Sequence, residues 1–109
     1  MSILRPIPRR LLPDDMIVWP AVGDGTFGPS RIVRHVRMDW EQAVVDDGHR
    51  GADGGRGTVF IDACNSLGCF EIPVGSRVLV GKGPSVFVKK VKRCSLVRGH
   101  VHHWELEVG

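Results

Sequence analysis

Aromatic residues are scarce in this chain of 109 residues, which has no tyrosine, four phenylalanines and three tryptophans. Surfaces that bind single-stranded nucleic acid stack bases on aromatic side chains. The most basic stretch, residues 82–98, contains Phe87 as its one aromatic residue. A base-stacking surface is therefore poorly supplied, although backbone phosphates could still meet the lysines and arginines.

Cysteine is also sparse, and long apolar runs are missing. Small disulfide-stabilised scaffolds use a dense and even set of cysteines, whereas this chain has three, which predicts reduced thiols. No apolar run approaches the roughly 20 residues that a membrane span needs. The opening residues Met1–Pro6 lack the apolar core of a secretion signal, so we expect a soluble, unexported protein without membrane partners.

What is present favours strands. Valine is abundant, 14 glycines and 7 prolines interrupt the chain, and no segment repeats apolar residues at helical spacing over ten positions. The length suits a single domain with a modest core. The sequence predicts a mainly β fold, a small antiparallel barrel or sandwich of about six short strands.

Three regions are distinguished along the chain. Residues 1–15, rich in proline and arginine, predict an extended arm that lies on its own domain or on a neighbour. Residues 16–109 form the single β domain, and its glycine-rich segment 46–57 predicts a flexible loop. Ile32, Val36, Met38 and Trp40 are expected to share the apolar face of the strand at residues 31–40. Arg34 also falls on that face, so either a bulge or an interface-facing position is expected there, and a bulge is expected at the lysine pair Lys89-Lys90. Strands are expected at residues 16–19, 31–40, 58–63, 77–80, 86–91 and 101–108.

The strongest candidate for a functional site is a zinc site, because imidazole and thiolate are ligands that zinc prefers. The candidate residues are Cys64, Cys69, Cys94, His100, His102 and His103. They contain no CxxC pair, and adjacent residues such as His102 and His103 point to opposite faces of a strand. The sequence therefore predicts no metal and no cofactor, with cysteines that are buried or exposed for ordinary reasons.

Catalysis has no clear set of residues. A nucleophile needs a base and an oriented acid beside it. Ser66 or Cys64 with His102 and Asp62 would supply those residue types, but no spacing favours this set over others. Neither Asp14-Asp15 nor Asp46-Asp47 lies in the setting of a paired-carboxylate site. We expect a protein that is not an enzyme.

Charge is unevenly distributed, although the formal net charge is only +3. Residues 72–104 hold seven lysines and arginines and no acid, which predicts one basic face or edge. A solvated strand face, an acidic protein partner and a DNA backbone all fit this pattern. The residues expected to make such a contact are Lys89, Lys90, Lys92 and Arg93.

Several segments in order resemble the small minor capsid proteins encoded in head-completion gene clusters of tailed bacteriophages. The resemblance covers residues 7–108 and rests on the order of the segments, which are Ile7–Leu12, Phe60–Ser66, Val74–Val78, Val86–Val91 and His102–Leu106. Val74–Val78 and Val86–Val91 together resemble that family's strand, turn and strand, and His102–Leu106 resembles its closing His-His-aromatic-Glu strand. Ser76 departs from the family, since an acidic residue is common there, and the loop of residues 48–57 is unusually long.

The resemblance implies a barrel-like virion protein that forms a ring of six or twelve copies at the head-to-tail joint, assembled in the host bacterial cytoplasm. Such a ring closes the DNA-filled head beneath the portal and its adaptor ring, and it is the platform for tail terminator or tail tube proteins. The end of the genomic DNA would lie in its channel. A small basic nucleic-acid-binding barrel is the alternative.

The same resemblance assigns candidate residues to the ring. Contacts between neighbouring subunits would come from the arm residues Pro6, Arg9, Arg10, Leu11 and Leu12. The channel would be faced by the loop residues His49, Arg50, Asp53 and Arg56.

Overall fold

A computed structural model describes residues 5–41, 56–95 and 99–109. These contain eight strands, preceded by a 3-10 turn at Arg9–Leu11. The strands are β1 (Asp14–Trp19), β2 (Ala21–Gly23), β3 (Thr26–Phe27), β4 (Arg31–Trp40), β5 (Gly57–Asp62), β6 (Arg77–Val80), β7 (Ser85–Cys94) and β8 (His103–Val108). In this part of the chain no helix is long and apolar enough to cross a bilayer.

Six of the strands close into an antiparallel barrel in the order β1-β4-β5-β8-β7-β6, while β2 and β3 form a separate hairpin. The predicted fold class is therefore confirmed. Closure gives each barrel strand two neighbours over part of its length, which removes most of the free backbone edge that an open sheet would expose.

The bulge expected near Arg34 is confirmed, and His35 is the extra residue. Asp14 pairs with Val36 and Asp15 pairs with Arg34, so His35 has no partner in β1 and takes a φ of 61°. The bulge reverses the facing of the residues before it. Val33 is therefore buried and Ile32 is 55% exposed, which corrects the expectation that Ile32 shares the inner face with Val36.

The bulge expected at the lysine pair is also confirmed. The register of β7 against β8 shifts between Val88 and Lys90. At this bulge β7 changes neighbours, because residues 85–87 pair with β6 and residues 88–94 pair with β8. β7 continues from there past Arg77, the first residue of β6, as a hairpin arm with β8.

The barrel interior is filled by apolar side chains, most of them valine. The largest fully buried members of this cluster are Met16, Ile61, Ile72 and Leu106, and Trp104 closes one side at 9% exposure. Three polar residues are buried, namely Asp62, Ser66 and Ser76. Among the described residues, every buried side-chain nitrogen or oxygen has a hydrogen-bond partner. The centre of the barrel is thus a packed core.

Candidate interaction surfaces

Part of the N-terminal arm is attached to the barrel through Asp62. The Ile7 amide donates to Asp62 Oδ1 at 2.9 Å, and Asn65 Nδ2 donates to the Ile7 carbonyl at 2.8 Å. The other carboxylate oxygen, Oδ2, accepts the amides of Cys64 and Asn65 at 2.9 and 2.7 Å. The sequence predicts an arm that lies either on its own domain or on a neighbour, and residues 5–12 lie on their own domain.

Ser66 ties the same turn to the bulge in β4. Its hydroxyl accepts the Asp62 amide at 2.9 Å and donates to the His35 carbonyl. The polar residues of the Phe60–Ser66 segment are thus occupied in holding three parts of the chain together. The hypothetical Ser66–His102–Asp62 triad does not assemble, because the Ser66 proton is directed to a backbone carbonyl.

The five candidate interface residues of the arm differ in exposure. Pro6, Arg9 and Arg10 are exposed, and Leu11 is 42% exposed. Leu12 is 1% exposed, so its side chain contributes to the core of its own chain and is not available to a neighbour. A contact between subunits through this segment would use Leu11 and the arginines.

The candidate channel residues His49, Arg50 and Asp53 lie outside the described residues. Arg56 is described at the end of this loop, where Nε lies 3.8 Å from Glu41 Oε2 and the Arg56 carbonyl accepts the Glu41 amide. Both side chains line a groove of about 950 Å³ beside β7 and β8. The channel role of this loop stays a prediction.

The basic strand does not form a continuous basic face. Lys90 and Lys92 pair with Glu107 and Glu105 across the outer face of β8, whereas Arg93 pairs with Trp104 on the other face. Lys90 Nζ lies 3.8 Å from Glu107 Oε2. Acids that follow the basic stretch in sequence therefore lie directly opposite two of its lysines.

Arg93 is occupied by an acid from a distant segment. Its Nε and Nη2 donate to the two carboxylate oxygens of Glu71 at 2.6 and 2.7 Å, and Trp104 Nε1 donates to Glu71 Oε1 at 3.3 Å. These hydrogen bonds, that of Arg93 first, hold the pKa of Glu71 below its ordinary value. Arg93 is thus part of an intramolecular pair and not a free phosphate contact.

This pairing predicts a pH dependence. Because the pKa of Glu71 is lower in the folded chain than in the unfolded chain, the pair stabilises the fold above the ordinary glutamate pKa, and that stability is lost as pH falls through the lowered value. We expect Glu71→Gln to reduce the loss of stability on acidification. Urea unfolding from about pH 7 to about pH 3 would measure it. If the free energy of unfolding of Glu71→Gln falls with decreasing pH as steeply as that of the wild type, the prediction is wrong. Glu41→Gln is the matched control.

The outer face of the barrel carries a row of apolar side chains. Ile17 of β1 lies directly opposite Ile32 of β4 on one side and Leu79 of β6 on the other. All three side chains point outward, since their strand neighbours Met16, Val18, Val33, Val78 and Val80 are buried. They line a shallow dent of about 250 Å³.

A second set of apolar side chains continues this face. Trp19 pairs with Arg77, which pairs with Phe87 on β7, and Phe87 stacks on Phe27 of β3 with ring centroids 6.3 Å apart. The Arg77 guanidinium lies 4.8 Å from the Trp19 ring centroid. We call the outer surface formed by Ile17, Ile32, Leu79, Trp19, Arg77, Phe87 and Phe27 the apolar face.

The three cysteines lie in two places. Cys64 is exposed and Cys69 lies near it in the turn after β5, whereas Cys94 lies opposite His103 in the β7–β8 pair. Burial, followed by the nearby Glu105 carboxylate, raises the pKa of the Cys94 thiol. The His103 hydrogen bond lowers the pKa of Glu105. Glu105 was not among the candidates, although its spacing of two residues from His103 in a strand places both side chains on one face.

Comparisons with family models, curated proteins and solved structures find no match for this chain.

Proposed function

We propose that this protein is a structural subunit of a head-to-tail connector ring in a tailed phage, where it closes the DNA-filled head and provides the platform for the tail. The resemblance of residues 7–108 supplies the class of protein. The observation that carries the proposal is the apolar face, a set of exposed and half-buried large side chains on the outside of a barrel whose interior is already filled.

An outer face of this kind suits a protein partner. Soluble barrels usually place polar side chains on the outer positions of their strands, because alternation puts only one side of each strand in the core. Here Ile32 and Phe87 are 55% and 42% exposed and lie on the same four-strand surface. Contiguous exposed apolar surface typically marks an interface, because burying it in a complex is favourable.

The partner that we assign to the apolar face is a second copy of the chain. A ring is built from one heterologous contact repeated around an axis, so each subunit must present two different surfaces. The apolar face is one, and the exposed arm residues Leu11, Arg9 and Arg10 are a chemically different candidate for the other. The portal-adaptor ring and the tail terminator or tube would bind the two ends of the ring.

The alternative function, a basic nucleic-acid-binding barrel, is less well supported. Lys90 lies beside Glu107, and Arg93 is paired with Glu71. Lys89 and Lys92 have no ion pair with any described acid, and they are the residues that favour this alternative. A DNA-binding protein would lose affinity steeply as salt rises, because bound phosphates release counterions, whereas a connector would bind free duplex weakly at all salt concentrations.

Substitution of Ile32 tests the assigned interface. Its side chain is outward and 55% exposed, so we expect Ile32→Glu to fold normally while it weakens self-association by roughly tenfold or more, because a charge would be buried in the contact. Sedimentation velocity over a concentration series would measure this. Val74→Glu is the matched control, since Val74 is 58% exposed but lies in the turn before β6. Equal association of both variants and the wild type would exclude the apolar face as the contact.

Imaging of particles assembled without the protein tests the function itself. We expect heads that lack tails and leak their DNA, and complementation with the wild-type chain should restore tailed particles. Normal tailed particles in the absence of the protein would overturn the connector role. Complementation by Ile32→Glu should fail if the apolar face forms the ring.

A further inference from the structure

Three side chains with metal-binding atoms converge on the outer face of the β7–β8 hairpin. His103 Nε2 lies 3.1 Å from Glu105 Oε2, and Cys94 Sγ lies 3.5 Å from the same oxygen. One ligand atom from each residue lies within 4.8 Å of the other two. The strand register produces the cluster, since Cys94 is directly opposite His103 and Glu105 follows His103 on the same face.

The hydrogen bonds of the two adjacent histidines determine which ring nitrogen of His103 carries a proton. His102 Nε2 lies 2.7 Å from the Arg5 carbonyl, which can only accept, so a neutral His102 ring donates from Nε2 and its Nδ1 is an acceptor. His103 Nδ1 lies 2.9 Å from that Nδ1 and must therefore donate to it. In the neutral ring the lone pair of His103 is then on Nε2, directed at the Glu105 carboxylate.

A lone pair that faces a carboxylate oxygen at 3.1 Å is repelled unless a positive charge lies between or beside them. A second proton on the His103 ring, donated from Nε2 to Glu105, would supply that charge, and so would a cation shared with the Cys94 sulfur. The presence of the thiol favours the cation, since thiolate, imidazole and carboxylate are together the donor set of zinc.

We propose that Cys94, His103 and Glu105 form a binding site for a divalent transition-metal ion of the zinc type. Zn–N, Zn–O and Zn–S bonds of about 2.0–2.3 Å place the ligands of a tetrahedral site roughly 3.3–3.8 Å apart. The distances of 3.1 and 3.5 Å to Glu105 Oε2 therefore require only small adjustments. Three protein ligands leave the fourth position to water.

The surroundings of His103 match those of metal-binding histidines, which donate their second ring N–H to an acceptor that orients the ring. His102 is that acceptor, and it is oriented in turn by the Arg5 carbonyl. His103 and Glu105 are 19% and 31% exposed, so the cluster is sheltered but reachable. Lys92, opposite Glu105, is the one described cation on this face of β7 near the site, and its charge opposes a metal ion.

A metal ion would connect the hairpin to the arm. By binding His103 Nε2 it requires the proton on Nδ1, which favours the His102 tautomer that donates to Arg5. The site departs from the expectation drawn from cysteine spacing, because strand pairing joins Cys94 and His103 where no sequence motif does. It is independent of the connector role.

Metal binding by the full-length chain tests the proposal. The protein is stripped of metal and titrated with Zn²⁺ by calorimetry, and Co²⁺ is used as a spectroscopic probe. We expect one equivalent to bind, with a thiolate-to-cobalt charge-transfer band. Cys94→Ser, His103→Gln and Glu105→Gln should each weaken binding by roughly tenfold or more. Cys64→Ser and Glu107→Gln are matched controls that should bind as the wild type does.

The wild-type chain provides a second measurement that does not depend on the folding of variants. Zn²⁺ should slow alkylation of Cys94, detected by mass spectrometry, while exposed Cys64 reacts at an unchanged rate. Equal reactivity of Cys94 with and without Zn²⁺ would overturn the proposal, as would a cobalt complex without the charge-transfer band. Those results would mean that the cluster holds no metal ion and consists of the hydrogen bonds of His103 and Cys94 to Glu105.

Discussion

Replacement of Asp62 with alanine is expected to lower the free energy of unfolding by about 3–5 kcal/mol. Asp62 is fully buried, and its carboxylate accepts the amides of Ile7, Cys64 and Asn65. Hydrogen bonds to a charged group contribute about 1.5–3 kcal/mol each, and alanine removes the acceptor that three part-buried donors share. Urea unfolding followed by circular dichroism would measure the change.

Two further variants show whether the effect comes from these hydrogen bonds. Asp62→Asn retains one acceptor oxygen and should be intermediate, whereas Asp39→Ala removes an exposed carboxylate and should change stability by about 0.5 kcal/mol or less. Hydrogen exchange of the Ile7 amide should accelerate in Asp62→Ala, because the bond to Oδ1 is lost. If Asp62→Ala lowers the free energy of unfolding by less than about 1 kcal/mol, the hydrogen bonds of Asp62 are not required for the stability of the fold.

Gly57→Ala is expected to destabilise the barrel by about 2–4 kcal/mol. Gly57 is buried in β5 between Trp40 and Val108, and an added Cβ would overlap the Asp39 carbonyl oxygen and lie 2.5 Å from Met38 Cε. The carbonyl belongs to the neighbouring strand, so only a shift of β4 relieves the overlap. Such a shift disturbs the β4–β5 register on which closure depends.

Gly28→Ala is the matched control for this substitution. Its added Cβ would approach Val22 Cγ1 at 3.3 Å, and that side chain is exposed and free to move. We expect a change of about 0.5 kcal/mol or less for Gly28→Ala. Thermal unfolding of both variants compares them directly, and similar melting temperatures would contradict the role assigned to Gly57.

Much of the fold could be predicted from local sequence. The alternation in β4 and the disturbed alternation at Lys89-Lys90 predicted strands and bulges that the structure confirms. The prediction that Ile32 faces inward was wrong, because the bulge adds one residue to β4 and reverses the facing of the residues before it. The position of a bulge cannot be determined from the alternation of apolar residues alone. That error matters, since an outward Ile32 is part of the apolar face.

The charge distribution was harder to predict for a similar reason. Residues 72–104 hold no acid, which suggests a basic face, but Glu71 and Glu107 reach Arg93 and Lys90 through strand pairing and the path of the loop before β6. Each partner lies just outside the basic stretch in sequence. Electrostatic neighbours are set by distance in space, so a charge run in sequence overstates the charge of the surface.

The sequence by itself determined a mainly β fold of valine-rich strands, glycine turns and bulges, because these depend on alternation and backbone conformation over a few residues. It left open whether the strands form a barrel or a sandwich, and the tertiary structure decided for the closed barrel. Only the tertiary structure decided which side chains meet. It placed Cys94, His103 and Glu105 together, fastened the arm to Asp62 and aligned Ile17, Ile32 and Leu79 on the outer surface. Such contacts depend on the register between strands distant in sequence, which local patterns do not encode.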